Sequence, residues 1–192
     1  MLQTLRFRIC REDPETSIML HEGKLAQEFG VSRTPIRQVL QRLAFEQLLE
    51  TRSGIGTVVS PLQPVERGLH FTMLADMLRL CRVCAAPVLD LPSRVLAGTI
   101  AGLLRGRDAN AEETYFEIRM QMLELVSGLL RDPIASEAHA AMHWRVIRWR
   151  MQAVRRDAAA AFAALDDTMA ALERAAAPDD VLDALAAEKP LD

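Results

Sequence analysis

Apolar positions recur at helical spacing along most of the chain, with one interruption. Leu2, Leu5 and Ile9 lie three and four residues apart and predict a short first helix, which "REDPETS" (11–17) ends. In "IMLHEGKLAQEFG" (18–30), Leu25, Ala26 and Phe29 share one helical face, and Gly30 stands where a helix stops. "VSRTPIRQVLQRL" (31–43) follows. Ile36, Val39, Leu40, Leu43 and Ala44 fall at i, i+3, i+4, i+7 and i+8, a full apolar stripe. The period then changes. "LLETRSGIGTVVS" (48–60) predicts two short strands, 48–51 and 57–59, joined by a glycine-bearing turn over 52–56. "PLQP" (61–64) continues neither a strand nor a helix. Beyond it helices are predicted over 69–88, 92–105, 110–130, 133–155, 157–176 and 178–188. Pro178, followed by Asp179 and Asp180, suits a helix start, with acids near the positive end of the dipole. The expectation is a mainly α chain: an N-terminal winged helix-turn-helix with a small β-hairpin wing over 1–62, and an all-α helical bundle over 63–192.

Composition supports helix over sheet. The 192 residues are 50% hydrophobic and only 5% aromatic. Net charge is −3, and the first 62 residues hold eight Lys and Arg against seven Asp and Glu. A nucleic-acid site must therefore come from local arrangement rather than bulk charge. Three cysteines, Cys10, Cys81 and Cys84, do not make a disulfide framework and suit a reducing compartment. The N-terminus lacks the apolar run of a signal peptide, and "VLAGTIAGLL" (95–104) is shorter than the roughly 20 residues of a membrane span. These features predict a cytoplasmic protein without a membrane partner.

The helix opening at "SRTP" carries unusual chemistry. Thr34 can serve as N-cap, with Pro35 as the first helical residue, where its missing N–H costs nothing. Arg33 and Arg37 crowd an end that prefers acids, at an expected cost of roughly 0.3–1 kcal/mol. That cost makes sense if an anion sits there, because free N–H groups and two guanidiniums would grip phosphate. The polar face continues with Arg37, Gln38, Gln41 and Arg42, and arginine and glutamine make paired hydrogen bonds to base edges in the major groove. A short helix, the turn "GVS" and this second helix form a helix-turn-helix, with Arg52, Gly54 and Gly56 in the wing. The candidate DNA-binding set is Ser32, Arg33, Thr34, Arg37, Gln38, Gln41, Arg42, Arg52, Gly54 and Gly56. Any amphipathic surface helix has a charged face; the whole order of elements sets this one apart.

"KLAQEFGVSRTPIRQVLQRLAFEQLLETRSGIGTVVSPL" (24–62) resembles the winged-helix domain of GntR-family transcription regulators. The all-helical remainder resembles the effector-binding, dimer-forming domain of the FadR-like branch. The resemblance implies a ligand-controlled transcription regulator, most commonly a repressor. It would act as a homodimer on a palindromic double-stranded DNA operator and respond to a small-molecule effector, an organic acid. Many members of that branch hold a divalent metal in the bundle, with Asp, two residues, then Phe-His. Here the matching "ETYFE" has Glu113 and Phe116 but Glu117 in place of the histidine, and Thr168 stands where a later histidine belongs. The resemblance therefore implies a lost or altered metal site, and no cofactor or tightly bound metal is expected.

His139 and His143, at i and i+4 in one predicted helix, have spacing that can chelate a transition metal. With Glu113 and Glu117, also at i and i+4, they form the candidate effector-binding set. The plainer reading has the histidines as partly buried surface residues and the glutamates on a solvated face. Arg82, Arg119, Arg145 and Arg148 lie in or beside apolar helices, where solvation or ion pairing is their plainer role. Two rival functions come from other classes. A helical metal-dependent enzyme would use Glu113, Glu117, His139 and His143, but no nucleophile–base set or phosphate loop accompanies them. A protein-interaction module carrying a winged helix would not need the basic start of the 31–43 helix. No catalytic residues are expected.

Overall fold

The computed structural model describes residues 1–52, 56–106 and 110–190. Helix α1 (Leu2–Arg11) leads into β1 (Ile18–Leu20), α2 (Glu22–Phe29) and α3 (Arg33–Phe45). Strands β2 (Glu50–Arg52) and β3 (Gly56–Val59) follow. The three strands form one antiparallel sheet in the order β1-β3-β2, with Met19 opposite Val58 and Thr51 opposite Thr57. This is a winged helix-turn-helix. Sequence periodicity placed 18–20 with the following helix, but Ile18–Leu20 is a strand. Three residues carry no readable alternation, and the strand exists because β3 offers its second edge.

Gly30 ends α2 as predicted. It adopts φ 65°, and the next N–H, of Val31, donates to the Ala26 carbonyl at 3.0 Å. Helix α3 begins earlier than predicted: Ser32 is the N-cap, without a side-chain cap hydrogen bond, and Thr34 is already helical. Pro35 then occupies the third helical position. It is tolerated there because none of the first four N–H groups has an intrahelical partner.

Residues 64–66 make one 3₁₀ turn, and then α4 (Arg67–Cys81), α5 (Leu91–Arg105), α6 (Ala111–Leu129), α7 (Pro133–Arg156), α8 (Ala158–Arg174) and α9 (Pro178–Ala186) form the all-α bundle. Three of these helices start on an aspartate cap. Asp90, Asp132 and Asp157 accept from the N–H groups of Ser93, Ala135 and Ala160 at 2.8–2.9 Å. The Asp180 carboxylate accepts from Ala176 and Ala177 at the start of α9. The longest helix, α7, packs against α1, α4, α6 and α8, so it is buried on several sides and carries Trp144, Trp149 and Met151 into the interior.

The apolar core runs without a break from Leu5, Ile36 and Leu43 into the bundle residues Ile118, Trp144 and Leu165. Helix α1 makes that continuity. Its Phe7 ring meets Phe116 edge-on at 5.2 Å, and its Arg6 guanidinium lies over Trp144 while donating to Glu46 at the end of α3 at 3.0 Å. No described helix is long and apolar enough to cross a membrane.

Candidate functional site

The outward face of α3 is built by its inward one. Ile36, Leu40 and Leu43 are buried, which turns Ser32, Arg33, Thr34, Arg37, Gln38, Gln41 and Arg42 to solvent together. The first turn of α3 carries no acid. Helix α2 supplies one instead. Arg37 donates from Nε and Nη2 to the two carboxylate oxygens of Glu22 at 3.1 and 2.9 Å. The shared hydrogen bonds push the Glu22 carboxyl below its ordinary range and hold the Arg37 guanidinium up. A guanidinium has five N–H donors, so this fork aims Arg37 and leaves its outer edge free. Arg33 lies along the start of α2, with its guanidinium beside Gly23.

Arg42 leans back along α3. It lies over the Phe45 ring and donates to Glu46 at 2.7 Å, sharing that buried carboxylate with Arg6. Gln38 and Gln41 have no side-chain hydrogen-bond partner among the described residues. In the wing, Arg52 pairs with Glu50 of its own strand, and Gly56 is exposed at φ 117° opposite Arg52. Gly54 lies outside the described residues. The arrangement presents hydrogen-bond donors and a positive edge over one helix and one strand. Sequence reasoning missed Glu22, whose partner is 15 residues away.

The four residues of the candidate effector set separate. Glu113 and Glu117 are exposed on α6, where Glu117 accepts from Gln121 at 2.8 Å. His139 and His143 are on α7 and fully buried, rather than partly so, with ring centroids 5.4 Å apart. His143 Nε2 lies 3.0 Å from the Arg119 carbonyl. Burial pushes the His139 imidazole down to about 4, and His143 is held well below its ordinary value, by burial first and then by His139, Arg119 and Arg150. Both rings are neutral at neutral pH.

What faces these rings is a set of buried charges. Arg119 Nη1 donates to both oxygens of Glu188 at 2.8 Å, and its Nη2 donates to the Tyr115 hydroxyl at 2.9 Å. Arg150 pairs with the same carboxylate, and the Thr168 hydroxyl donates to it at 2.9 Å. Burial alone would push the Glu188 carboxyl up, but the two guanidiniums hold it below its ordinary range. Burial likewise works against the charge on Arg119, and Glu188 and Tyr115 more than restore it. Arg150 is pushed down, by burial first and by Arg119 second. Two guanidiniums repel a divalent cation, so these residues do not fit the metal that the FadR-like branch implies. Among the described residues no three of His, Cys, Asp and Glu group to hold one.

Of the four arginines whose plainer role was solvation or ion pairing, two are buried, one of them ion-paired with Glu188. Arg119 is one. Arg148 is the other, donating to the Ser60 carbonyl at 2.9 Å and the Pro14 carbonyl at 3.1 Å, both in the N-terminal segment. Arg82 is an exposed partner of Asp179 and Asp183. Arg150 and Glu188 were not singled out. The available signal was the i, i+4 spacing of Tyr115 and Arg119 on the apolar side of α6. The Cys84 thiol donates to the Cys81 carbonyl at 3.3 Å, and all three cysteines are free.

Residues 2–59, about the first third of the chain, match the family described as "Bacterial regulatory proteins, gntR family". The chain is 44% identical over 64 residues to the gluconate operon transcriptional repressor of Bacillus licheniformis. That match covers 33% of this chain and 26% of the relative, about a quarter of its length. Two solved structures share the fold across nearly the whole chain. E. coli McbR/YncC has a TM-score of 0.53 at 14% identity, covering 96% of this chain and 88% of that one. Lar, which controls expression of the Listeria monocytogenes agr system, has a TM-score of 0.50 at 16% identity, covering 98% and 94%.

Proposed function

We propose that this chain, whose first third matches the GntR family, is a DNA-binding transcription regulator of the FadR-like type, acting as a ligand-controlled repressor. The observation that carries the reading is the outward face of α3. Arg33, Thr34, Arg37, Gln38 and Gln41 stand together at an acid-free helix start, and Glu22 holds Arg37 in a fixed fork. Arg33, Ser32 and Thr34 sit where phosphate contacts belong, Arg37 and Gln41 where base edges are read, and Arg52 on the wing.

One such helix spans too few base pairs for specificity, so the working unit is a homodimer on a palindromic operator. Leu69, Met73 and Leu80 lie exposed at helical spacing on α4, and Val83 is exposed just beyond its end. That face suits a second copy. The effector is a small organic acid held in the bundle, where Arg119 and Arg150 replace the metal of the branch. Helix α7 links the two ends. It carries His139, His143 and Arg150 at the buried cluster, and Arg148 on the backbone of the N-terminal segment. A shift of α7 on binding would move the DNA-binding head.

The test starts with selection of binding sequences from random duplex DNA, followed by salt titrations of Arg33→Ala, Arg37→Ala and Arg52→Ala. Loss of a base-reading Arg37 is expected to cost about 1–3 kcal/mol and relax one operator position. Loss of a phosphate contact should weaken all sequences alike and lower the salt slope by roughly one unit per half-site. Unchanged affinity and slope in all three folded variants would refute the reading.

A further inference from the structure

We propose that the Glu188 carboxylate is a tethered occupant of an anion subsite at the centre of the bundle, and that a small carboxylate ligand binds there by displacing it. The proposal rests on the reading of the bundle as the ligand-sensing part. The receptor comes from three helices. Arg119 of α6, Arg150 of α7 and Thr168 of α8 all address one carboxylate, and Tyr115 of α6 braces Arg119. The carboxylate itself comes from outside the helices, because α9 ends at Ala186 and Glu188 lies in the segment after it. The backbone N–H of Glu188 still donates to the Leu185 carbonyl at 3.4 Å, so the side chain is the part that swings while the last turn of α9 stays in place. The receptor and its occupant therefore have different mechanical status.

Three further observations show that Glu188 fills the site incompletely. Two buried guanidiniums face one carboxylate, and the neighbouring imidazoles are neutral, so positive charge is in surplus. The Arg119 Nε and His139 Nδ1 atoms are buried without a hydrogen-bond partner, and both belong to side chains at the cluster. The site thus has donor capacity beyond what one glutamate uses. Finally, Glu188 stands between two spaces. Inward is a void of about 10 Å³ lined by Arg119, His139, His143 and Arg150. Outward is a pocket of about 360 Å³ lined by Thr168, Ala171, Ala184 and Lys189. Arg150 and Glu188 border both. Swinging the Glu188 side chain out joins them and opens the paired guanidiniums to a ligand arriving from the surface. Lys189, at the mouth, adds a positive charge on that path. The planar, two-oxygen geometry that Arg119 and Arg150 already hold is that of a carboxylate.

The fragment removed by Glu188→Ala is one CH₂–COO⁻ unit, so acetate is the probe. The full chain and the variant are melted in sodium acetate and in sodium chloride at matched ionic strength. The tethered group competes at an effective concentration in the millimolar range or above. Half-maximal stabilisation of Glu188→Ala should therefore need roughly tenfold less acetate than the wild type does, with chloride producing no such shift. Adding Arg150→Met to Glu188→Ala should abolish the acetate response. Equal responses of Glu188→Ala to the two salts, or an acetate response that survives Arg150→Met, would overturn the proposal. If Glu188→Ala folds only in acetate, that rescue supports it. If it folds in neither salt, Glu188→Asp decides: greater acetate sensitivity than wild type supports the tethered competitor, and wild-type behaviour overturns it. DNA affinity measured on the same samples separates the two readings. Acetate binding without a change in DNA affinity upholds the subsite and removes its link to regulation.

Discussion

Replacing His139 with leucine removes one of two imidazoles that fold neutral inside α7. Burial pushes this ring from its ordinary 6.5 down to about 4, with no partner on Nδ1 to resist it. The unfolded chain takes up a proton on this residue near pH 6.5, and the folded chain does so only near pH 4. A depressed folded pKa means that the contribution to stability is fully present above pH 6.5 and disappears as pH falls towards 4. At about 1.4 kcal/mol per pH unit, the whole window is worth about 3 kcal/mol. His143, Arg119, Arg150 and Glu188 face the same space. His143 is pushed the same way, but it is present in both proteins, so only the part of its shift that His139 causes enters the comparison. His70 is also pushed down by burial, but it is common to both proteins and cancels in the comparison. Wild type and His139→Leu should therefore have similar stability near neutral pH. Their slopes of stability against pH should differ by about 1.4 kcal/mol per unit below about pH 6. Urea denaturation followed by helical circular dichroism, stepped from about pH 7 to about pH 4.5, measures both slopes across that window. Parallel curves would mean that the folded protein already carries a charged or hydrated His139, and the account of a dry, neutral imidazole pair beside the guanidiniums would be wrong.

Arg148→Met should cost about 1–3 kcal/mol, because it strands the Ser60 carbonyl and removes one of the two donors to the Pro14 carbonyl, which keeps the Leu62 N–H. Equilibrium unfolding measures the cost, and faster proteolysis within 12–17 or 60–66 locates it; wild-type behaviour in both assays would show that the link carries no load. Replacing both Leu80 and Val83 with glutamate puts charge on these exposed apolar positions without touching the core, so helicity should persist while sedimentation changes from dimer to monomer. A dimer that survives would place the two-fold contact elsewhere.

How far the site could be read from sequence varies with the kind of residue. The outward face of α3 was legible, because an apolar stripe from Ile36 to Ala44 dictates which residues face out. The forks on that face were not, since Glu22 and Arg37 meet only after α2 and α3 cross. The cap at Ser32 was displaced from the expected Thr34 because several residues in "VSRT" suit that role locally, and the turn after Gly30 chooses among them. The buried charges were least legible. An arginine in an apolar helix reads as a surface residue with a snorkelling stem, and nothing local says that Arg119 will find Glu188, 69 residues later.

The sequence by itself determined the helix content, the wing, the breaks at 61–64 and before Pro133 and Pro178, and the side of α3 that faces out. These depend on contacts within a few residues, so periodicity and capping carry them. Tertiary structure alone decided three things. It made Ile18–Leu20 a strand by lending it the free edge of β3. It joined the winged helix to the bundle through α1 and Arg148 into one continuous core. It drew Arg119, Arg150, Thr168 and Glu188 into one buried cluster while leaving Glu113 and Glu117 outside. The reason is common to all three. An unpaired edge, an orphan carbonyl or a buried charge is costly alone, and its partner is set by which distant segments the packed helices bring within hydrogen-bonding reach.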